Sequence, residues 1–467
     1  EMWERMSYYG MRGILVLFMV ASYENGGLNF DNVTASAIYG IYAAAVYLAT
    51  LPGGWIADRL IGQQKAIFYG GLIIMLGHIS LIFPFIDAFY LGLILIVIGT
   101  GLLKPNISAI VGELYKGNES LKDAGFTLFY MSINIGSILG FLICGYLGEN
   151  IGWHYGFSAS ALGMAIGLIQ FYIYNDKLEG IGVKPIIQLE EYKKKRDIYI
   201  TIIFSALLIS FILLIFKGII EIDPLSVAQY MTIAITLIAL SYFLYIFSLG
   251  KLSVDEKNKV FILMLLFFGA AIFWSGFDQG GSSFNIFAKE YTNRFVLGWE
   301  YPASWLQIIN PLFVVILSPF IAYLWIYLGK RMLDPNLILK FGLALVFMAI
   351  GFLIIMYGAL TAVQYKIAGA QYLLLTYLFH TIGELTLSPV GLSAVSKLAP
   401  KRFLGQFMGI WFLASSLGAI IAGLLSGRAT NSGLESMPNL FLQISLISLG
   451  FGIIFIIVSF PIKKYIE

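Results

Sequence analysis

Runs of about 20 apolar residues, separated by short polar breaks, recur along the whole chain. Each is long enough to cross a bilayer's hydrocarbon core as a helix. The runs are continuous and do not alternate with period two, so they predict helices and not the roughly ten-residue strands of a membrane barrel. The pattern predicts helices over about 1–23, 33–57, 65–86, 89–115, 122–147 and 153–174. A polar segment over 175–197 follows, with Lys193, Lys194, Lys195 and Arg196 near its end. Two further runs, 198–218 and 226–249, precede helices over 259–288, 302–326, 334–358, 368–396, 403–426 and 436–462. The expected fold is an all-α membrane protein of 14 spans. Its expected parts are a six-helix bundle (1–174), a linker with a two-helix insertion (175–258) and a second six-helix bundle (259–467).

Composition agrees with a lipid-facing surface. Of 467 residues, 59% are apolar and only 12% charged, about half the usual charged share. The net charge of +3 gives no reason to expect nucleic acid as a partner. Cys144 is the one cysteine, which excludes a disulfide within the chain. The chain opens on Glu1 and not on methionine, so its natural start is expected upstream.

Positive charge sets the expected orientation, because loops rich in Lys and Arg face the cytoplasm. With the loops taken alternately, 21 of the 29 Lys and Arg fall on one side, 5 (Lys217, Lys289, Arg294, Lys366, Arg428) on the other and 3 within spans. A missed or invented span in the middle would destroy that asymmetry. Both ends are therefore expected in the cytoplasm, in a multi-pass plasma (inner) membrane protein.

Charges inside spans are costly, by about 2.5–3.5 kcal/mol at the bilayer centre on insertion scales, and so mark cavities, ion pairs or relays. Glu1, Glu4, Arg5, Tyr8 and Arg12 recur at spacings of three and four, which puts them on one helix face. Lys104 sits in an apolar run before Pro105, whose freed carbonyls Asn106 and Ser108 are expected to help satisfy. Asp278 and Glu384 lie in the second half with no charged neighbour on their own helices, so each needs a partner from another helix, or a proton. Cations in one half and acids in the other suit a gate between two rocking halves. Tyr8, Tyr9, Tyr47, Tyr130, Asn134, Trp274, Asn310, Trp411 and Ser415 interleave with these charges.

His78, His154 and His380 show no metal-ligand spacing, and there is no phosphate-binding loop of the Walker type. Scattered histidines and a lone intramembrane aspartate also argue against a hydrolase, so no enzyme and no cofactor is expected.

The chain resembles the proton-dependent oligopeptide transporters, a branch of the major facilitator superfamily, from residue 1 to about 430. Six segments carry the resemblance, in order and at fitting spacings. They are Glu1-Met2-Trp3-Glu4-Arg5-Met6-Ser7-Tyr8-Tyr9-Gly10, Gly99-Thr100-Gly101-Leu102-Leu103-Lys104-Pro105-Asn106 and Phe129-Tyr130-Met131-Ser132-Ile133-Asn134-Ile135-Gly136 in the first half. The second half adds Gln307-Ile308-Ile309-Asn310-Pro311, Gly383-Glu384-Leu385-Thr386-Leu387-Ser388-Pro389 and Met408-Gly409-Ile410-Trp411-Phe412. The segment Gly53–Gly62 is similar to the superfamily's loop signature, with Asp58 expected to accept from a neighbouring helix end.

The resemblance implies proton-driven import of di- and tripeptides by alternating access, with protons as the coupling ion. It implies proton coupling at Glu1, Glu4, Arg5 and Asp278. It implies an outer gate of Arg12 with Asp278 and an inner gate of Lys104 with Glu384. The implied cavity is lined by Tyr8, Tyr9, Tyr47, Tyr130, Asn134, Trp274, Asn310, Ser388, Trp411 and Ser415. Two departures stand out. The acid of the helix over 259–288, often Glu in the family, is Asp278, and Gly40 stands where animal members carry a histidine. The insertion and the absence of a large domain between the helices over 334–358 and 368–396 look like prokaryotic members.

The chemistry of a short peptide fits the same residues. Arg5 and Lys104 suit its carboxylate. Glu384 with Asn134 and Asn310 suits its amine, and aromatic walls accept varied side chains. Nitrate or a peptide-like drug as cargo, and a sensor that binds peptide without moving it, are the competing readings.

Overall fold

The structure is a computed structural model. It describes residues 1–115, 119–178, 180–333, 335–431 and 433–462, without the side chains of 119, 120, 122–124, 388–390, 392, 393 and 431. The described residues are almost entirely helical. The helices are α1 Met2–Val20, α2 Asn32–Ile56, α3 Gln63–Ser80, α4 Ile86–Leu114, α5 Glu119–Tyr146, α6 Trp153–Tyr174, α7 Glu191–Phe216 and α8 Pro224–Leu249. They continue as α9 Val254–Phe277, α10 Ser283–Tyr291, α11 Ile309–Lys330, α12 Leu337–Tyr365, α13 Gln371–Leu398, α14 Leu404–Asn431 and α15 Met437–Ile462. Four two-residue strands complete the set: β1 Thr292–Asn293, β2 Phe295–Val296, β3 Trp299–Glu300 and β4 Ala368–Gly369.

Among the described residues, eleven helical segments are long and apolar enough to cross a membrane, and α9 with α10 counts as one of them. Three further long helices, α1, α3 and α13, are not in that set. Glu4, Arg5 and Arg12 charge α1, and Gln63-Gln64-Lys65 opens α3. Part of α13 lies outside the described side chains.

Three local features differ from expectation. Helix α7 begins at Glu191, seven residues before the apolar run. Its charged first turns are held by Glu190–Lys193 at 3.1 Å and Glu191–Lys195 at 2.9 Å, pairs that support a helix irrespective of hydropathy. The helix expected over 259–288 is broken at Asp278–Gly281, which forms a single tight turn between α9 and α10. Residues 295–300 form a hairpin that nothing in the apolar pattern announces.

The chain divides into two compact units. The first comprises Glu1–Ile14 and Ala45–Val227. In it α3 packs along α4 at glycine-for-glycine distance: a Cβ on Gly70 would lie 2.7 Å from the Gly99 carbonyl oxygen, and one on Gly77 would lie 2.8 Å from that of Gly92. Small residues at such crossings let helices approach without side chains between them. Ile67, Ile74, Leu103, Ile110, Met164 and Leu168 fill the core where α3, α4 and α6 meet.

The corner between α2 and α3 is tied to the segment after α6. Ile187 donates its N–H to the Asp58 carbonyl at 2.9 Å, and Gln64 donates to the Ile181 carbonyl at 2.7 Å. Arg59 Nε lies 2.9 Å from the carboxylate of Asp197 in α7, which is buried. The acid of the loop signature thus contributes a backbone acceptor, while the neighbouring arginine makes the ion pair.

The second unit comprises Leu15–Ala44 and Ala228–Glu467. Gly40 of α2 packs on Gly423 of α14, where a Cβ would lie 3.0 Å from the Gly423 Cα. A histidine would not fit at Gly40. Ser36 and Ser426 bond across the same contact at 3.1 Å. An aromatic cluster of Phe284, Phe352, Phe441 and His380 fills the core between α10, α12, α13 and α15. Ser253 and Glu256 form a reciprocal cap at the start of α9, and Arg402 reaches Glu256 at 3.0 Å.

Candidate functional site

In the first unit, the charged stripe of α1 is built as a shared ion pair. Arg5 Nε donates to Glu1 Oε1 at 2.8 Å, and the same nitrogen lies 2.7 Å from Glu4 Oε2 without hydrogen-bonding geometry. Two carboxylates therefore compete for one guanidinium. Glu4 and Arg5 are only 2% and 4% exposed, so neither charge leans on bulk water. The Arg5 guanidinium also lies 5.6 Å from the centre of the Tyr8 ring, and Tyr9 stands edge-on to Tyr8 at 5.2 Å.

The stripe is held in place by α5. A Cβ on Gly136 would lie 2.3 Å from the Met2 carbonyl oxygen, and one on Gly140 would lie 2.4 Å from that of Met6. Glycines four apart on α5 thus let α1 lie directly on its backbone. Asn134, two residues before Gly136, is buried and donates to the Tyr130 carbonyl of its own helix at 2.9 Å.

Lys104 in α4 extends its ammonium over the Tyr47 ring, 4.4 Å from the ring centre, a distance at which the ring's negative face attracts the cation. It lies within electrostatic reach of Glu1, Glu4, Arg5 and Arg12. Around Pro105, Asn106 donates to the Leu102 carbonyl at 2.7 Å and Ser108 to the Lys104 carbonyl at 3.0 Å. Neither accepts the task expected of it, since the carbonyl that a proline at 105 leaves without its helical donor is that of Gly101. Arg12 is half-buried on α1.

In the second unit, the Asn310 amide nitrogen of α11 donates to Glu384 Oε2 at 3.0 Å and to Thr381 Oγ1 at 3.0 Å. This joins α11 to α13 through the acid expected at the inner gate. Thr381 is absent from the sequence-predicted set. Its signal is position, three residues before Glu384 and so on the same helix face. Asp278 is buried and closes α9 at the start of the broken turn. The turn is braced by Gln279, whose amide donates to the Ala422 carbonyl at 3.1 Å, and by Gly281, where a Cβ would lie 2.0 Å from the Tyr39 hydroxyl.

Trp274 sits edge-on to Phe273 and Phe277, with its Cβ against Gly418. Trp411 packs on Gly391 and stands edge-on to Phe341. Ser415 is buried one turn further along α14. The side chain of Ser388 lies outside those described.

The predicted residues therefore gather in two sets. Glu1, Glu4, Arg5, Tyr8, Tyr9, Arg12, Tyr47, Lys104, Tyr130 and Asn134 belong to the first unit, and Trp274, Asp278, Asn310, Glu384, Trp411 and Ser415 to the second. Each predicted gate pair has its cation in the first unit and its acid in the second.

Comparison with known proteins identifies relatives over nearly the full length. The profile of the POT family matches residues 64–439. A peptide transporter, YePEPT, of Yersinia enterocolitica is 39% identical, covering 99% of this chain and 93% of that protein. A di-/tripeptide transporter of Lactococcus lactis subsp. cremoris is 36% identical over 99% of this chain and 94% of its own length. Among solved structures, a mutant of the peptide transporter POT in complex with alafosfalin superposes with a TM-score of 0.92 at 36% identity, covering all of this chain and 94% of that one. A POT family transporter in complex with a thioalcohol-conjugated peptide gives 0.88 at 32% identity, with 99% and 94% covered.

Proposed function

The chain belongs to the POT family, and from that membership we propose a proton-coupled symporter that imports di- and tripeptides by alternating access. It is a multi-pass membrane transporter, not an enzyme, and its coupling ion is the proton. The observation that carries the mechanism is the sharing of Arg5 between Glu1 and Glu4 in a buried site. Either carboxylate can take a proton, and when one does, Arg5 loses an acidic partner. A peptide carboxylate then replaces that partner in a bidentate contact. Protonation and peptide binding are thereby linked through one guanidinium, and linkage of this kind is reciprocal.

The remaining assignments extend this reading. Lys104, over Tyr47, assists with the carboxylate terminus. Glu384, oriented by Asn310, takes the amine terminus, with Asn134 assisting. Tyr8, Tyr9, Tyr47, Tyr130, Trp274, Ser388, Trp411 and Ser415 line the path for side chains and for peptide-like drugs. Arg12 with Asp278 closes the outer face, Lys104 with Glu384 the inner face, and Asp278 takes part in proton coupling. The rocking bodies are the bundles 1–174 and 259–467, joined by 175–258. The membrane is the plasma (inner) membrane, with both termini cytoplasmic, as the 21-to-5 division of loop cations supports.

Counterflow separates this reading from a peptide sensor and from other cargo. Vesicles preloaded with unlabelled dialanine should accumulate labelled dialanine, a panel of dipeptides and tripeptides should compete, and nitrate should not. Binding without counterflow would instead assign a sensor.

A further inference from the structure

The segment between α10 and α11 is built as a rigid device. Its base is fixed by Thr292–Asn293 pairing with Ala368–Gly369, the connection between α12 and α13. The base therefore stands level with the end of α12 and the start of α13. Above it, the buried Arg294 guanidinium donates to the Tyr301 carbonyl at 2.6 Å and pairs with Glu300, and Tyr301 returns its N–H to the Arg294 carbonyl at 3.0 Å. Phe295 faces Glu300 and Val296 faces Trp299 across a two-residue turn.

That turn places Leu297 at φ 51° and Gly298 at φ 83°. Both values are left-handed, as a tight hairpin turn requires, and the first position ordinarily goes to Asn, Asp or Gly. A leucine there is strained, and strain held at one residue is a pointer to a role for that residue. Its side chain projects completely, at 103% exposure. Phe295, Val296 and Trp299 around it are also exposed. A stiff polar base thus presents an apolar tip free of charge from Phe295 to Trp299.

We propose that this tip is a membrane-interface anchor, seated in the bilayer leaflet at the Arg294 end of the protein. The occupant is lipid because the tip lies close in the chain to a helix whose apolar face is left uncovered. Helix α11 follows within ten residues, and its span is the least enclosed of the second unit's, at 6%. Leu312, Ile316, Phe320 and Tyr323 form one exposed apolar face along it. A tryptophan beside an aliphatic tip is the composition that favours the headgroup boundary. A protein partner would find almost no directional group on this tip to recognise. Arg294 and Glu300 neutralise each other at the base, so no net charge of that pair resists seating. The inference rests on membrane insertion alone and is independent of the cargo.

The test is nitroxide labelling at Leu297→Cys in a Cys144→Ala background, with Val296→Cys as a second position and Lys184→Cys as an aqueous reference. The protein is placed in nanodiscs of phosphatidylcholine and phosphatidylglycerol, and collision rates with oxygen and with a nickel chelate are read from power saturation. The proposal expects an oxygen-to-nickel ratio several-fold above that of Lys184→Cys at both tip positions. A ratio equal to the reference places the tip in water and overturns it. A label shielded from both reagents, in nanodiscs and in detergent alike, assigns a protein contact and overturns it too.

Discussion

Asn310 holds Glu384: its amide nitrogen stands 3.0 Å from the carboxylate and 3.0 Å from the Thr381 hydroxyl, so one side chain fixes an acid and ties α11 to α13. Hydrogen bonds to charged groups are worth about 1.5–3 kcal/mol. Asn310→Leu should therefore weaken dipeptide binding roughly 10- to 100-fold, as read by calorimetry on the purified protein. Thr381→Val, which leaves the Asn310–Glu384 bond, should cost much less. Equal losses would mean that Thr381, not Glu384, is the partner that matters.

The shared guanidinium gives a separable prediction. Glu4→Gln keeps the shape of the site but cannot release a proton, so proton-driven accumulation should disappear while peptide exchange persists. Arg5→Lys keeps the charge but loses the planar fork that serves two carboxylates, so it should impair both. Loss of exchange in Glu4→Gln would reassign Glu4 to binding or folding.

The crossing of α1 on α5 has little tolerance. A methyl at Gly136 would meet backbone at 2.3 Å, and overpacking of this kind costs about 1–3 kcal/mol. Gly136→Ala should lower the thermal unfolding temperature in detergent and reduce uptake by shifting the Arg5 stripe. Gly54→Ala, where the nearest atom is 3.8 Å away, is the matched substitution and should be silent in both assays.

Asp197 fastens α7 to the α2–α3 corner through Arg59. Asp197→Ala should loosen the segment 180–190 and speed its cleavage by added protease, without abolishing exchange. The swap Arg59→Asp with Asp197→Arg should restore resistance. Unchanged cleavage in the single variant would show that backbone bonds such as Ile187 to Asp58 suffice.

The helices were legible because lipid imposes a single solution on apolar runs: all backbone groups must bond within the segment. What hydropathy misplaced was decided by polar chemistry. Helix α7 extends into Lys193–Arg196 because its charges pair along the helix and Asp197 finds Arg59. The long helix breaks after Phe277 because Gln279 bonds to α14 and the two glycines after it pack against Tyr377 and Tyr39, with Gly280-Gly281 the visible signal. In the site, the spacing of Glu1, Glu4 and Arg5 was enough to put them together. Thr381 escaped notice because a threonine in a helix ordinarily satisfies itself on its own backbone. Thr381 does so too, donating to the Tyr377 carbonyl, and its oxygen remains free to accept from Asn310.

The most direct test is uptake into proteoliposomes that contain only this protein, with and without an inward proton gradient, using a labelled dipeptide and a labelled tripeptide in parallel. Proton-coupled symport predicts that both accumulate above the external concentration when the outside is acidified, and that a protonophore collapses the accumulation. Uptake that is the same with and without the gradient, or that stops at equal concentrations inside and out, would contradict it.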